Sequence, residues 1–300
     1  MSLVVFHTGE FYALGSALLW AVAVILFRKS GEAVPPVVLN LFKNNFGLAL
    51  LLISMVAVGS PFFPAERSAI DWWTLLLSGA IGIALADSLF FASLNRLGAG
   101  RSAIVDCLYS PFVILTAFLY LGEPLRPSLI AAMLLVISAI FVGTWEPLRD
   151  KTRLERRDLA TGVGMGIAAM LLMAVGIVIA KPVLEVSDVW WATAARLVGA
   201  VPVLALQAST RRYRSAVKRC FLPGPHWRHV IPGSFLGAYA ALLFWILGFK
   251  YALAGVAGVL NQTSTIVVLI LATVFLREQL TWRRVAAIML GFSGAAMVVI

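Results

Sequence analysis

Three stretches of this chain, Leu48–Val58, Phe112–Leu121 and Ile130–Gly143, run on without a single charge. Each lies inside a longer apolar segment near the ~20 residues that a helix needs to cross a ~30 Å hydrocarbon core. Composition agrees: 61% of the 300 residues are hydrophobic and 13% charged, with a mean hydropathy of +0.95. Soluble domains carry roughly a quarter charged residues, so this chain belongs in lipid. Ten membrane helices are expected, over residues 11–29, 35–58, 72–95, 101–121, 128–146, 159–181, 188–208, 230–250, 255–276 and 283–300. Pro35-Pro36, Pro61 with Pro64, Pro124 with Pro127, and Pro223 with Pro225 mark turns between them.

The chain also repeats itself. Glu123-Pro124-Leu125 and Glu278-Gln279-Leu280 each interrupt two long apolar segments, 155 positions apart. At that offset Ala99 meets Ala254, Ala117 meets Ala272, Leu135 meets Leu290 and Ser138 meets Ser293. Polar residues coincide too: Asp106 falls on Asn261 and Ser110 on Thr265. Residues 146–158 form the highly charged stretch near the middle and divide the helices into five plus five. The expected units are 1–148 and 159–300, joined by a charged linker at 149–158. Five is odd, so the second copy starts from the opposite face, and the fold class is an all-α membrane protein of two inverted five-helix repeats.

Orientation follows from Lys and Arg. Eighteen of the 24 fall in the loops after the first, third, fifth, seventh and ninth spans. Those after the even spans hold only Arg67, Arg126, Lys181 and Lys250, while Lys43 and Arg196 lie inside spans. The basic loops are therefore expected in the cytoplasm of a multi-pass plasma (inner) membrane protein, with both termini outside. No Lys or Arg precedes the first apolar run, so no cleavable signal peptide is expected. Cys107 in a span and Cys220 in a basic loop argue against a disulfide, and His7, His226 and His229 are expected outside the spans. The net charge of +10 is explained by membrane orientation rather than by nucleic-acid binding.

The segment Ala86-Asp87-Ser88-Leu89-Phe90-Phe91-Ala92-Ser93-Leu94, the run Gly98-Ala99-Gly100, Ser110-Pro111 and Leu121-Gly122-Glu123-Pro124-Leu125 stand beside Leu276-Arg277-Glu278-Gln279-Leu280 and Gly291. Together they resemble EamA-type proteins of the drug/metabolite transporter superfamily. The resemblance implies a ten-helix inner-membrane carrier, commonly an exporter of amino acids or other small metabolites. The second copy departs by having Ile266 where the first has Pro111, so its ninth span is expected to kink less.

An ionisable group in hydrocarbon costs about 2.5–3.5 kcal/mol on insertion scales, so each needs a reason. Asp106 and Ser110, four apart with Tyr109 adjacent, are expected on one helix face. Asn261 and Thr265 repeat that geometry, joined by Gln262, Thr263 and Ser264. Two such faces suit a substrate site on the pseudo-twofold axis, or hydrogen-bonded glue between helices. Low dielectric favours a neutral carboxyl, which makes Asp87 and Asp106 the candidate coupling groups for a proton. The alternative for Asp87 is an ion pair with Lys43 or Arg196, which occupy similar places at an offset of 153. Arg196 would also suit a substrate carboxylate through paired hydrogen bonds. Asn40, Lys43 and Asn44 form a polar stripe that lipid cannot satisfy, and should face the interior unless Lys43 snorkels outward. Trp20, Tyr239 and Trp245 are candidate walls for a flat or apolar cargo. Glu123 and Glu278 read as structural acids at helix N-termini, and Gly162, Gly164 and Gly166 as close-packing points.

These features favour a secondary transporter working by alternating access, driven by the substrate gradient or a coupled proton. The chain carries no nucleotide-binding loop of the Gly-x-x-x-x-Gly-Lys-[Ser/Thr] kind. No cofactor or metal is expected, the partners are a small-molecule substrate and the bilayer, and the residues leave the oligomeric state open, with a monomer expected to function. A lipid or lipid-linked-sugar flippase is the nearer alternative. A membrane enzyme is disfavoured, because the chemistry would want a nucleophile beside a base or a cluster of histidines in the spans.

Overall fold

A computed structural model describes residues 2–123, 156–277 and 281–296, with a few isolated positions between 131 and 142. The expected span at 128–146, most of the linker, Glu278 and residues 297–300 lie outside the described residues. Eight helices among those described are long and apolar enough to cross a membrane. In chain order the elements are α1 (Ser2–Ser30), α2 (Pro36–Val58), α3 (Ala69–Leu97), α4 (Ala99–Leu121), α5 (Arg156–Val186), α6 (Val189–Ala208), a short α7 (Arg214–Phe221), α8 (Trp227–Tyr251), α9 (Ala254–Leu276) and α10 (Trp282–Ala296). The chain is a multi-pass membrane protein. Helix α1 begins at Ser2, nine residues before the expected span, while the other expected boundaries hold to within a few residues, with two further differences. Helix α5 starts at Arg156 and continues through Pro182 to Val186, which places Lys181 inside the helix, buried, rather than in a loop. His7 lies in α1 and His229 in α8, so only His226 falls between helices.

Local chemistry sets the helix ends. Ser68 and Asp71 form a reciprocal capping box at the start of α3, which satisfies two otherwise orphaned donors. Asp188 caps α6 by accepting from the Trp191 amide and also accepts from Ser60 across the turn that follows α2. At the far ends, Gly122 and Arg277, 155 positions apart, both take the left-handed conformation that closes a helix. The first copy meets that demand with glycine, the second with a strained arginine.

Packing pairs the two halves. Helix α1 packs on α8 as α5 packs on α3, and α1 meets α9 as α5 meets α4. Helix α2 crosses its own counterpart α6, and α4 crosses α9. Exchanging the halves leaves this set of neighbours unchanged. The crossing counterparts run antiparallel. The first part of α4 lies on the second part of α9 and the reverse, and the end of α2 meets the start of α6 at Ser60–Asp188.

Close crossing demands small residues. A Cβ on Gly79 of α3 would stand 1.7 Å from the Arg196 carbonyl oxygen of α6, and one on Gly199 of α6 would stand 2.1 Å from that of Leu76. Backbone blocks both, so no side chain can swing aside. Gly79→Ala is expected to cost about 3 kcal/mol or prevent assembly, read as the yield and unfolding midpoint of the purified protein. An unchanged midpoint would contradict this packing. Gly162 and Gly166 of α5 likewise press on α3 and α4 residues, whereas Gly164 faces open space.

Candidate functional site

Both α3 and α8 contain a six-residue π-helical segment, Ala80–Leu85 and Phe235–Ala240. They lie at the same offset of 155. Wide π turns free backbone carbonyls and recur at functional sites. Asn40 answers the first of them: its amide donates to the Ile83 and Ala84 carbonyls at 3.1 and 3.2 Å, and to Ser88 at 3.1 Å. Beside the second, Ser16 of α1 donates to the Ala241 carbonyl at 3.0 Å. Helices α4 and α9 are each broken at one place, after Asp106 at Cys107–Leu108 and after Asn261 at Gln262. These too are counterparts. The α9 break forms without a proline, with Ile266 where α4 has Pro111, and takes one residue against two in α4. The Gln262 side chain re-satisfies the opened backbone by donating to the Asp106 carbonyl at 3.0 Å, while Thr265 donates to Gln262 Oε1 at 3.3 Å.

The four irregular turns surround a cavity of about 110 Å³ in the middle of the bundle. Its wall repeats as the sequence does. Gly82 faces it with Gly237, Ile83 with Ala238, Phe90 with Trp245, Asp106 with Asn261, and Tyr109 with Ser264, each pair 155 apart. Ala17 and Trp20 of α1 correspond to Met170 and Met173 of α5, both at 153.

Of the residues expected at a site, Trp20, Lys43, Asn44, Asp87, Asp106, Tyr109, Trp245, Asn261 and Gln262 line this cavity. Five others do not. Asn40 is spent on the π turn, and Tyr239 is turned away to bond Ser54 at 2.6 Å. Arg196 lies fully buried behind Trp245, its guanidinium 5.2 Å from that ring. Ser110 and Thr265 are also buried away from the cavity. The expectation that Asp106 and Ser110 share a face fails because the helix breaks between them, so the four-residue rule does not carry across. Ser16, the glycines of the π segments and the two methionines were not anticipated, since apolar and small residues in a span carry little polar signal.

Electrostatics divides the acids. Asp87 forms a buried ion pair with Lys43 at 2.7 Å, and Lys43 also reaches Asn44 and lies over the Phe91 ring. Lys43 therefore points inward rather than snorkelling. Asp106 has no hydrogen-bond or ion-pair partner for its carboxylate among the described residues, and it faces the cavity half-buried. Tyr109, 5% exposed and also on the cavity wall, carries a hydroxyl without a partner among the described residues. The site thus offers one uncommitted acid and one uncommitted hydroxyl amid aromatic rings.

The two cysteines are free and buried. Burial pushes the Cys220 thiol on α7 up to about 11, which keeps it protonated and unreactive at neutral pH.

The EamA-like transporter family model matches residues 7–145 and 160–300, and the chain belongs to this family. It is 31% identical over 137 residues to the uncharacterized transporter YvbV of Bacillus subtilis, covering 44% of this chain and 43% of that one. A second relative, the uncharacterized transporter YoaV of the same organism, is 24% identical over 148 residues, 48% of this chain and 49% of that one. The chain thus spans about half or less of the length of the curated relatives it matches. A solved crystal structure shares the fold with a TM-score of 0.72 at 20% identity, over 97% of this chain and 96% of that one.

Proposed function

We propose that this protein is a secondary transporter that carries a small organic solute across the plasma membrane by alternating access, as an exporter. The observation that carries the reading is the central cavity, whose wall is built by matching residues of both halves at two broken helices and two π turns. Antiparallel counterparts support an inverted pair of five-helix repeats, in which each face can open in turn about a fixed site. Asp106, free and set among aromatic rings, suits a cargo with a positively charged nitrogen, such as an amino-acid-like solute. Asn261 and Gln262 supply neutral polar contacts opposite it. Asp87 and Asp106 are the acids available for proton coupling.

The basic loops are assigned to the cytoplasm. The three described cations of the opposite face are consumed by helix ends: Arg67 donates to Val186, Lys250 to Ser187, and Lys181 to Phe249 and Ala252. Cations at helix C-termini complement the dipole, so those bases serve capping and leave the asymmetry to the other face. A groove of about 320 Å³ between α9 and α10 is lined by apolar residues and Thr273, without a base, which lends no support to a lipid-headgroup path.

The test is flux in sealed liposomes under an imposed solute gradient. Specific flux that disappears in Asp106→Ala and falls in Asn261→Ala is the expected result; flux indifferent to both would remove this site from the account.

A further inference from the structure

Lys43 and Arg196 hold counterpart places, 153 positions apart, on the two helices that cross antiparallel. Both are buried, at 3% and 0% exposure. The acid beside Lys43 stands alone, since the counterpart of Asp87 at offset 155 is the neutral Leu242. Arg196 rests on the Trp245 ring and of its hydrogen-bond donors spends only Nε, which donates to Ser78 at 2.8 Å. Its two terminal nitrogens have no hydrogen-bond partner among the described residues. Idle donors on a buried guanidinium are costly, and a carboxylate is the group that their fork fits. That fork already faces the part of α3 that carries the acid. Nη2 stands 3.5 Å from where a Cβ on Gly82 would be, inside the π segment about one turn before Asp87.

We propose that Arg196 is the second seat of the Asp87 carboxylate: the acid is held by Lys43 when the cavity opens to one face and by Arg196 when it opens to the other. This inference rests on the alternating-access reading above. In inverted repeats the two end states exchange the conformations of the halves, so Asp87 in the next state stands to Arg196 as its counterpart Leu242 now stands to Lys43, on one shared cavity wall. The present asymmetry fits, because Lys43 lines the cavity and Arg196 does not. One acid shared by two cations always leaves one of them unpaired, and a carboxylate caught between the two seats satisfies neither. Such an arrangement has two discrete states rather than a continuum. The π segment offers the motion: moving its wide turn along α3 from Leu85 past Asp87 turns that residue by about 100°, the angle per residue of an α-helix.

The experiment uses the full chain with Cys107 and Cys220 replaced by alanine and a cysteine introduced at the cavity-lining Ser264. The rate at which a membrane-impermeant thiol reagent modifies it is measured in right-side-out and in inside-out vesicles, and the ratio of the two is read. Arg196→Gln removes the second seat and should move the ratio about tenfold towards the Lys43-paired form; Lys43→Gln should move it about tenfold the other way. A purely structural role would move both variants alike, so equal or absent shifts overturn the proposal. Should a glutamine variant fail to assemble, Arg196→Lys is read in its place. Its poorer fork should shift the ratio about threefold towards the Lys43-paired form, and an unchanged or reversed ratio overturns the exchange. Labelling needs neither cargo nor flux. Opposite shifts in a protein that carries no solute would keep the exchange and refute the carrier, whereas solute flux with unmoved ratios would do the reverse.

Discussion

Asp87→Asn is expected to destabilise the protein by about 3–5 kcal/mol, because it strands the Lys43 ammonium inside the bundle. Lys43 is 3% exposed and its principal partner is the carboxylate at 2.7 Å; its contact with Asn44, at 3.5 Å, is long for a hydrogen bond. Removing both charges as Lys43→Met with Asp87→Leu should recover most of the loss, since a buried ion pair and an apolar pair of similar volume are often nearly equal in stability. The unfolding midpoint of the solubilised single and double variants, taken as a cycle, measures the coupling. Near-additive effects would show that the pair does not hold α2 to α3. The double variant should still fail to transport, because it keeps the fold and loses the charge exchange.

Asp106→Asn is expected to do the opposite: leave the fold alone and cost the cargo. The carboxylate has no hydrogen-bond partner among the described residues, and the bond from Gln262 goes to the Asp106 backbone carbonyl, which the substitution preserves. A charge-assisted hydrogen bond is worth about 1.5–3 kcal/mol, so affinity for a cationic solute should fall roughly 10- to 150-fold. Solute-dependent stabilisation of the purified protein reads this directly. An affinity equal to that of the native protein would show that Asp106 does not meet the cargo. Asn261→Ala should have a smaller effect on binding, as its side-chain amide already donates to Ala257 at 2.8 Å.

Much of this was legible in the residues. Apolar runs placed the eight described spans, and the offset of 155 between the glutamate motifs also relates the π segments, the helix breaks and the left-handed caps. The polar intruders pointed inward as the cost of burying them in lipid requires. What escaped was rotation and irregularity. No proline lies inside either π segment, although Pro232 stands three residues before the second, and Gln262 breaks α9 without one, so periodicity carried Asp106 and Ser110 onto a shared face that the break destroys. Whether Asp87 would pair with Lys43 or with Arg196 depended on how α3 is turned, which two spacings of 153 and 155 leave open. Gly79 and Gly199 looked like ordinary span glycines, because the backbone each one presses against belongs to a helix more than a hundred residues away.

The central claim, that two oppositely oriented halves enclose the site, is tested most directly at a pair of counterpart loop positions. Ala33 follows α1 and Val186 ends α5, 153 apart and both exposed. Single cysteines at each, in the same background without Cys107 and Cys220, are treated on intact cells with an impermeant thiol reagent. Modification of Val186→Cys from outside, and of Ala33→Cys only after the membrane is opened, is the result predicted by inverted halves with basic loops in the cytoplasm. Modification of both from the same side would contradict it.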